Sequence, residues 1–204
     1  GADLIDIGGE STRPGSDPVP ADEEWRRVGR VIETLVHRTD VPLSIDTMKA
    51  TVAEKALEAG ASIVNDVSGM RDPVFVRLVA AKRAGVVAMH MLGNPKTMQQ
   101  NPQYANVLGE VKAFLSDRIL ALEAAGVSSE AIAVDPGIGF GKSLVHNLAL
   151  LRGLGELAAL GFVHGNGVGQ GQLVQAVVLH INASQRRMSL GIKQLQPDAW
   201  EVFF

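Results

Sequence analysis

The chain has 204 residues, 46% of them hydrophobic and 20% charged, with a formal net charge of −3 and no cysteine. That balance suits one large globular domain or most of one; it excludes a nucleic-acid surface built on excess positive charge, a disulfide framework and a thiolate metal site. No apolar run approaches the ~20 residues of a membrane span and no signal peptide is visible, so a cytoplasmic protein is expected; the start at Gly1 rather than Met, leading straight into an apolar run, predicts a chain cut at its N-terminus.

In chain order, strands and helices alternate. Residues 4–7 are a short apolar run interrupted by Asp6 and closed by Gly8 and Gly9, and residues 10–18 are loop by composition. Asp22, Glu23 and Glu24 open a helix whose apolar positions Trp25, Val28, Ile32 and Leu35 keep a helical period. Residues 42–46 read as a second strand ending in Asp46; Thr47 is placed to cap the next helix, which Gly60 ends. Residues 62–66 form a third strand ending in Asn65 and Asp66. Pro73 opens a helix through about Ala84, ended by Gly85. Residues 86–91 are a fourth strand carrying His90, residues 93–103 a loop, and Val107, Val111, Phe114, Ile119 and Leu122 mark a long helix ending near Gly126. Residues 132–135 are the fifth strand, and a Leu-rich helix covers about 147–160.

Strand–helix units in succession, with no hairpin signal between them, predict parallel strands. A (β/α)8 barrel and an open doubly wound sheet both fit, and both carry their chemistry at the C-terminal strand ends. The polar strand-end residues are Asp6, Asp46, Asn65, Asp66, His90 and Asp135. Nearly every strand contributes one, as expected when strand ends converge on a barrel axis. The expected fold is therefore a (β/α)8 TIM-type barrel, incomplete, with about five to six units present. From Phe162 the pattern stops: glycines and glutamines crowd residues 165–172, and 173–181 reads as either a strand or a helix. This predicts a partial barrel over residues 1–162 and an atypical tail over 163–204.

The stretch from Ile132 to Ser143 is the most informative. A short apolar run ends in Asp135, Pro136 stops it for lack of an N–H, and Gly137, Gly139 and Gly141 follow. A carboxylate at a strand end followed by a glycine loop is a common way to build a site, although an Asp there also serves as an ordinary helix cap. Asp46, Asn65 and Asp135 together offer acceptors and a donor that suit a planar heterocycle with an amino group beside a ring N–H, or alternatively a divalent cation. The loop from Gly8 to Gly15 supplies hydroxyls and the Arg13 guanidinium, groups that a phosphate or pyrophosphate requires; an ordinary surface loop fits equally. Gly141-Lys142-Ser143 is not a P-loop, because the Walker spacing needs glycine where Pro136 stands. His90 reads as a packed or hydrogen-bonded histidine, the Met89 and Met91 pair as core, and residues 94–98 as a loop with no mechanism of its own.

Five motifs in order resemble the dihydropteroate synthase family: Asp6-Ile7-Gly8-Gly9-Glu10-Ser11-Thr12-Arg13-Pro14-Gly15; Ser44-Ile45-Asp46-Thr47; Val64-Asn65-Asp66-Val67-Ser68-Gly69; Met89-His90-Met91 with Gly93 to Met98; and Asp135-Pro136-Gly137-Ile138-Gly139-Phe140-Gly141-Lys142. The resemblance covers residues 1 to about 162. It implies a (β/α)8 barrel, a homodimer in the complete enzyme and no membrane or nucleic-acid partner. The implied reaction joins 6-hydroxymethyl-7,8-dihydropterin pyrophosphate to p-aminobenzoate with Mg2+ present, with sulfonamides competing for the p-aminobenzoate site. By the same resemblance, Asp46, Asn65, Met89 and Asp135 line the pterin pocket, with Asp46 and Asp135 the catalytic carboxylates. Thr12, Arg13 and Pro14 stand near pyrophosphate and p-aminobenzoate, and Phe140 meets the p-aminobenzoate ring.

The departures are equally specific. The family's first-strand Asn motif, which helps hold metal and pyrophosphate, lies before Gly1, so the metal ligands are not assigned. The seventh-strand Ser-Arg-Lys-Ser motif and the eighth-strand Arg-x-His site are not found in residues 163–204. Two alternatives follow: a pterin- or folate-binding methyltransferase domain, and a non-catalytic product of the same fold. The hydroxyl- and Arg-bearing loop favours the transferase, because methyl transfer has no pyrophosphate to hold. The tail is expected not to supply working seventh and eighth strands.

Overall fold

The computed structural model describes residues 3–160 and the backbone of two strands at 177–182 and 187–191. β1 (Ile5–Gly8), β2 (Leu43–Asp46), β3 (Ile63–Asp66), β4 (Gly85–Met89) and β5 (Ile132–Asp135) alternate with α1 (Ala21–Val36), α2 (Ala50–Glu58), α3 (Pro73–Lys82) and α4 (Val107–Ala124). After β5 come α5 (Leu144–Arg152) and α6 (Leu154–Ala158), the expected Leu-rich helix divided at Gly153.

The five strands form one parallel sheet in the order β1-β2-β3-β4-β5. Each consecutive pair of the first five helices packs together. This order decides between the two architectures. A doubly wound sheet reverses direction at a switch point, whereas an unbroken sequential order with helices on one side is an arc of a (β/α)8 barrel. β6 (Val177–Asn182) and β7 (Arg187–Gly191) pair antiparallel in a second, two-stranded sheet. The expectation about the tail otherwise falls on residues 161–176, 183–186 and 192–204, outside the described residues.

The core lies between sheet and helices. Ile7, Leu43, Ile45, Val64, Val86, Ala88, Ile132 and Val134 project from the strands against Val28, Ile32, Val52, Phe75, Val79, Val111, Leu115 and Leu122 of the helices, all buried. Truncating one such aromatic, Phe75 to Ala, costs about 3–5 kcal/mol in lost transfer energy and cavity. Among the described residues no helix is long and apolar enough to cross a membrane.

Helix ends correct the sequence reading in three places. Thr47 does not cap α2: its Oγ1 accepts the Lys49 N–H at 3.1 Å, closing a hydroxyl turn, and Lys49 occupies the N-cap. α3 ends before Gly85. Arg83 adopts a left-handed conformation (φ 53°) as its C-cap, and Gly85 instead begins β4. The Leu-rich helix starts at Leu144 rather than at about Asn147: Ser143 is the N-cap of α5, its Oγ accepting from the His146 N–H, a structural use for the Gly141-Lys142-Ser143 run that agrees with its not being a P-loop.

Candidate active site

Strand register decides which polar residues meet. In a parallel sheet registered residues point the same way, and side chains alternate along each strand. Asp6 pairs with Ser44, Gly8 with Asp46, Asp46 with Asn65, Asn65 with Val87, and Met89 with Asp135. Asp6, Asp46, Asn65, Met89 and Asp135 therefore share the face of the sheet opposite the helices, at its C-terminal edge. Asn65 Nδ2 donates to Asp6 Oδ2 across the edge at 3.0 Å.

Asp66 and His90 are not part of this set, although the sequence placed them among the strand-end groups. Asp66 is next to Asn65 in the strand and so points to the helical side. It is buried, and its carboxylate accepts from the Ser68 N–H, the Ser68 hydroxyl and the Met70 N–H at 2.7–2.8 Å. It shapes the turn after β3. His90, just past the end of β4, is buried edge-on to Phe114 with ring centroids 5.0 Å apart. Burial and the nearby cations of Lys142 and Arg71 hold its imidazole down to about 4, so it is neutral at pH 7.

On the shared face the carboxylates are short of partners. Among the described residues Asp46 Oδ1 is buried with no hydrogen-bond partner, and so is the Ser44 hydroxyl behind it on the same strand and face. Burial, followed by the charges of Asp6, Asp66, Glu24 and Glu10, pushes the Asp46 carboxyl up to about 7. Asp135 Oδ1 accepts the Gly137 N–H at 2.7 Å, and burial raises its pKa against that bond and the Lys142 charge. A buried acceptor with nothing to accept costs about 1–3 kcal/mol; a ligand that brings N–H groups or positive charge removes that cost and favours the ionised carboxylates.

An apolar floor adjoins these carboxylates. Val67, Met89, Met91 and Met98 form a buried cluster, with Met48 and Phe140 packed against it. Polarisable thioethers conform to flat rings, so the sulfur-rich cluster and the acids together suit a planar, hydrogen-bonding heterocycle.

Two loops frame the site. In the loop after β1, Thr12 is half-buried and Arg13 and Pro14 are exposed. Glu10 closes the base of this loop by accepting from the Val19 N–H at 2.5 Å and Lys49 Nζ at 2.7 Å, and Lys49 also reaches the fully buried Glu24 at 2.6 Å. The tip is held by residues 94–98, which sequence reading left without a role: Gly15 N donates to Pro95 O at 3.1 Å, and Lys96 pairs with Asp17 at 2.9 Å.

Sequence reasoning missed Lys142. Its side chain is buried, and Nζ lies 2.9–3.1 Å from the carbonyl oxygens of His90, Gly137 and Phe140 and 3.0 Å from His90 Nδ1. Burial lowers the ammonium to about 7 while the Asp135 charge opposes that shift. The available signal was a lysine closing a run of glycines, whose bare carbonyls are natural acceptors for it.

The description "Pterin binding enzyme" matches residues 1–195, past the boundary drawn at Phe162. A dihydropteroate synthase of Synechocystis is 45% identical over 163 residues, covering 79% of this chain and 56% of that protein. The dihydropteroate synthase of Xanthomonas albilineans, solved with 4-aminobenzoic acid, is 49% identical with a TM-score of 0.72, covering 78% of this chain and 56% of the other. That of Burkholderia cenocepacia, complexed with 7,8-dihydropteroate, is 51% identical with a TM-score of 0.70, covering 77% and 56%. The chain thus spans about half the length of the relatives it matches. With a matching description over nearly all its residues, the chain belongs to the pterin-binding enzyme family.

Proposed function

We propose that the protein is a transferase of the dihydropteroate synthase type. It condenses 6-hydroxymethyl-7,8-dihydropterin pyrophosphate with p-aminobenzoate, giving 7,8-dihydropteroate and pyrophosphate. The observation that carries this reading is the unpartnered Asp46 oxygen on the face that also bears Asn65 and Asp135.

In this reading the amino-pyrimidine edge of the pterin donates to Asp135, whose Gly137 bond leaves its second oxygen for the ligand. Met89 packs on the ring, and Asn65 supplies a donor and an acceptor. As pyrophosphate departs, positive charge develops on the pterin methylene. Fixed carboxylates at Asp46 and Asp135 stabilise that charge in a partly desolvated site. The neutral aromatic amine then attacks, with no protein nucleophile. Arg13 and Thr12 attend the departing pyrophosphate, and Phe140 meets the p-aminobenzoate ring. The same loop favours this reaction over methyl transfer from a folate.

Mg2+ is part of the same proposal: such an ion is held by one or two carboxylates together with substrate phosphate oxygens and waters rather than by an all-protein cage. Among the described residues no group of three or more His, Cys, Asp or Glu side chains is gathered, and no step is routed through the ion. A homodimer is also part of the proposal, supported by the exposed apolar side chains Leu144, Val145 and Leu148 on α5; sedimentation as a monomer at micromolar concentration counts against it. A cytoplasmic setting follows from the substrates of this reading.

The reaction is tested with labelled p-aminobenzoate and the pterin pyrophosphate, using this chain and a version extended to the length of its relatives. The expected result is p-aminobenzoate-dependent release of pyrophosphate by the extended version, inhibited by sulfonamides. Pyrophosphate release that ignores p-aminobenzoate, or no turnover in either version, overturns the reading.

A further inference from the structure

We propose that Lys142 is a positioning residue: its buried amine clamps the glycine loop onto the end of β4 and thereby sets the Asp135 carboxylate and the Phe140 ring. A closed circuit of hydrogen bonds carries the inference. His90 N donates to the Asp135 carbonyl at 2.9 Å, joining the ends of β4 and β5. The Gly137 N–H then holds Asp135 Oδ1 at 2.7 Å. Lys142 Nζ donates to the carbonyls of Gly137 and Phe140 at 2.9 Å and of His90 at 3.1 Å. The loop leaves β5, turns beneath His90 and is fastened back to it by one side chain.

The local sequence is built for this. Gly137 (φ +67°) passes directly under the His90 carbonyl, where any Cβ would overlap that oxygen. Gly141 (φ +62°) passes 2.8 Å beneath the Leu92 carbonyl, measured to an added Cβ. Turns this tight leave carbonyls pointing inward with no helix or strand to satisfy them. The three N–H groups of one ammonium answer three of them, and His90 Nδ1 lies 3.0 Å from the same nitrogen. The hydrogen bonds of Lys142 are spent on the loop and the end of β4, while the nearby Asp135 charge opposes the cost of burying its ammonium.

The functional consequence rests on the transferase reading, but the clamp does not, and the test separates them. Backbone hydrogen exchange and binding of a 7,8-dihydropterin analogue are measured on the chain, with Lys142→Met and Lys142→Cys compared. Because the chain has no other cysteine, the latter can be aminoethylated in the unfolded state and refolded, restoring an amine of nearly the original length. The clamp predicts at least tenfold faster exchange of the Gly137 N–H in Lys142→Met, with β1 to β3 unchanged. Analogue binding weakens at least tenfold in parallel, and both effects revert in the aminoethylated protein. Unchanged exchange at Gly137 overturns the clamp. Faster exchange with unchanged pterin affinity overturns its positioning role. Failure of the unmodified chain to bind the analogue refutes the transferase reading for this chain, while the exchange arm still decides the clamp. If the variants do not fold, 15N-lysine spectra of the unmodified chain at pH 5.5 decide it. Lys142 must then show Nζ protons exchanging at least tenfold more slowly than those of exposed Lys96, and equal rates overturn the proposal.

Discussion

Two loops leave the same end of the sheet, residues 9–19 after β1 and residues 136–143 after β5. The first is fastened at its base through Glu10, Lys49 and Glu24, while its tip rests on one backbone bond to Pro95 and one exposed ion pair, Asp17 with Lys96. Exposed ion pairs hold little. The second is fastened throughout, by a buried lysine and by glycines that pass under backbone carbonyls. The contrast assigns different work to each. Groups that read a rigid ring gain from being fixed before it arrives. Groups that admit a charged substrate and release pyrophosphate need a tip that opens at low cost. The sharpest ways to break this comparison lie in the fixed loop.

The largest effect is expected from Gly137→Ala. The new methyl group meets the His90 carbonyl, and the residue must also hold a positive φ. Left-handed strain alone costs about 1–2 kcal/mol and the clash adds to it, so a loss of about 3 kcal/mol or more is expected. Denaturant unfolding checks this; a loss under about 1 kcal/mol would show that the loop gives way more easily than its contacts indicate.

Next is Asp135→Asn in a protein that carries the whole site. The substitution replaces one acceptor oxygen with a donor facing the pterin's donors. A lost bond to a charged group is worth about 1.5–3 kcal/mol, roughly a ten- to hundredfold weaker dissociation constant by calorimetry with a pterin analogue. An unchanged constant removes Asp135 from the recognition edge.

Asp46 gives a smaller effect with a definite sign. Its carboxyl is held up to about 7 from the ordinary 3.8. Between those values the folded state binds more protons than the unfolded state, so its contribution to stability falls as pH rises from about 4 to 7. Asp46→Asn cannot ionise and should be more stable than the parent above pH 7 by about 1–2 kcal/mol, after discounting for solvent screening. The gap should close near pH 4. His90, held down to about 4, acts in the opposite sense between 4 and 6.5, which is why the difference between variant and parent, rather than either curve, is the quantity to measure. A gap independent of pH means that the carboxyl titrates normally.

Much of this was legible in the residues. Alternating apolar runs and amphipathic segments foretold five parallel strands, and polar strand ends foretold the edge that bears the site. What they did not disclose has physical reasons. Sequential strand order is a long-range fact that no local pattern encodes; polar groups on nearly every strand end favoured the barrel over the open sheet, and the pairing decided it. Asn65 and Asp66 are adjacent acids and amides of similar appearance, yet strand alternation sends them to opposite faces. Glu24 reads only as one of three acids opening a helix, and the fold buries it fully against Lys49. Lys142 has no role in the sequence beyond closing the glycine run, and only the folded loop brings three carbonyls to it.

Gly15→Ala is the counterpart of Gly137→Ala in the other loop, and the smallest effect expected. Gly15 also holds a positive φ, +81°, but an added Cβ there has no atom within 4 Å. Only backbone strain remains, about 1 kcal/mol, and the lightly held tip can relax part of it. Its N–H bond to Pro95 survives the substitution, since no group is removed. Two glycines with similar φ should therefore differ at least threefold in the cost of one methyl group, and the difference measures how firmly each loop is enclosed. Equal costs in the two unfolding curves would mean that the loop after β1 is as tightly packed as the loop after β5, and the division of work between them would fall.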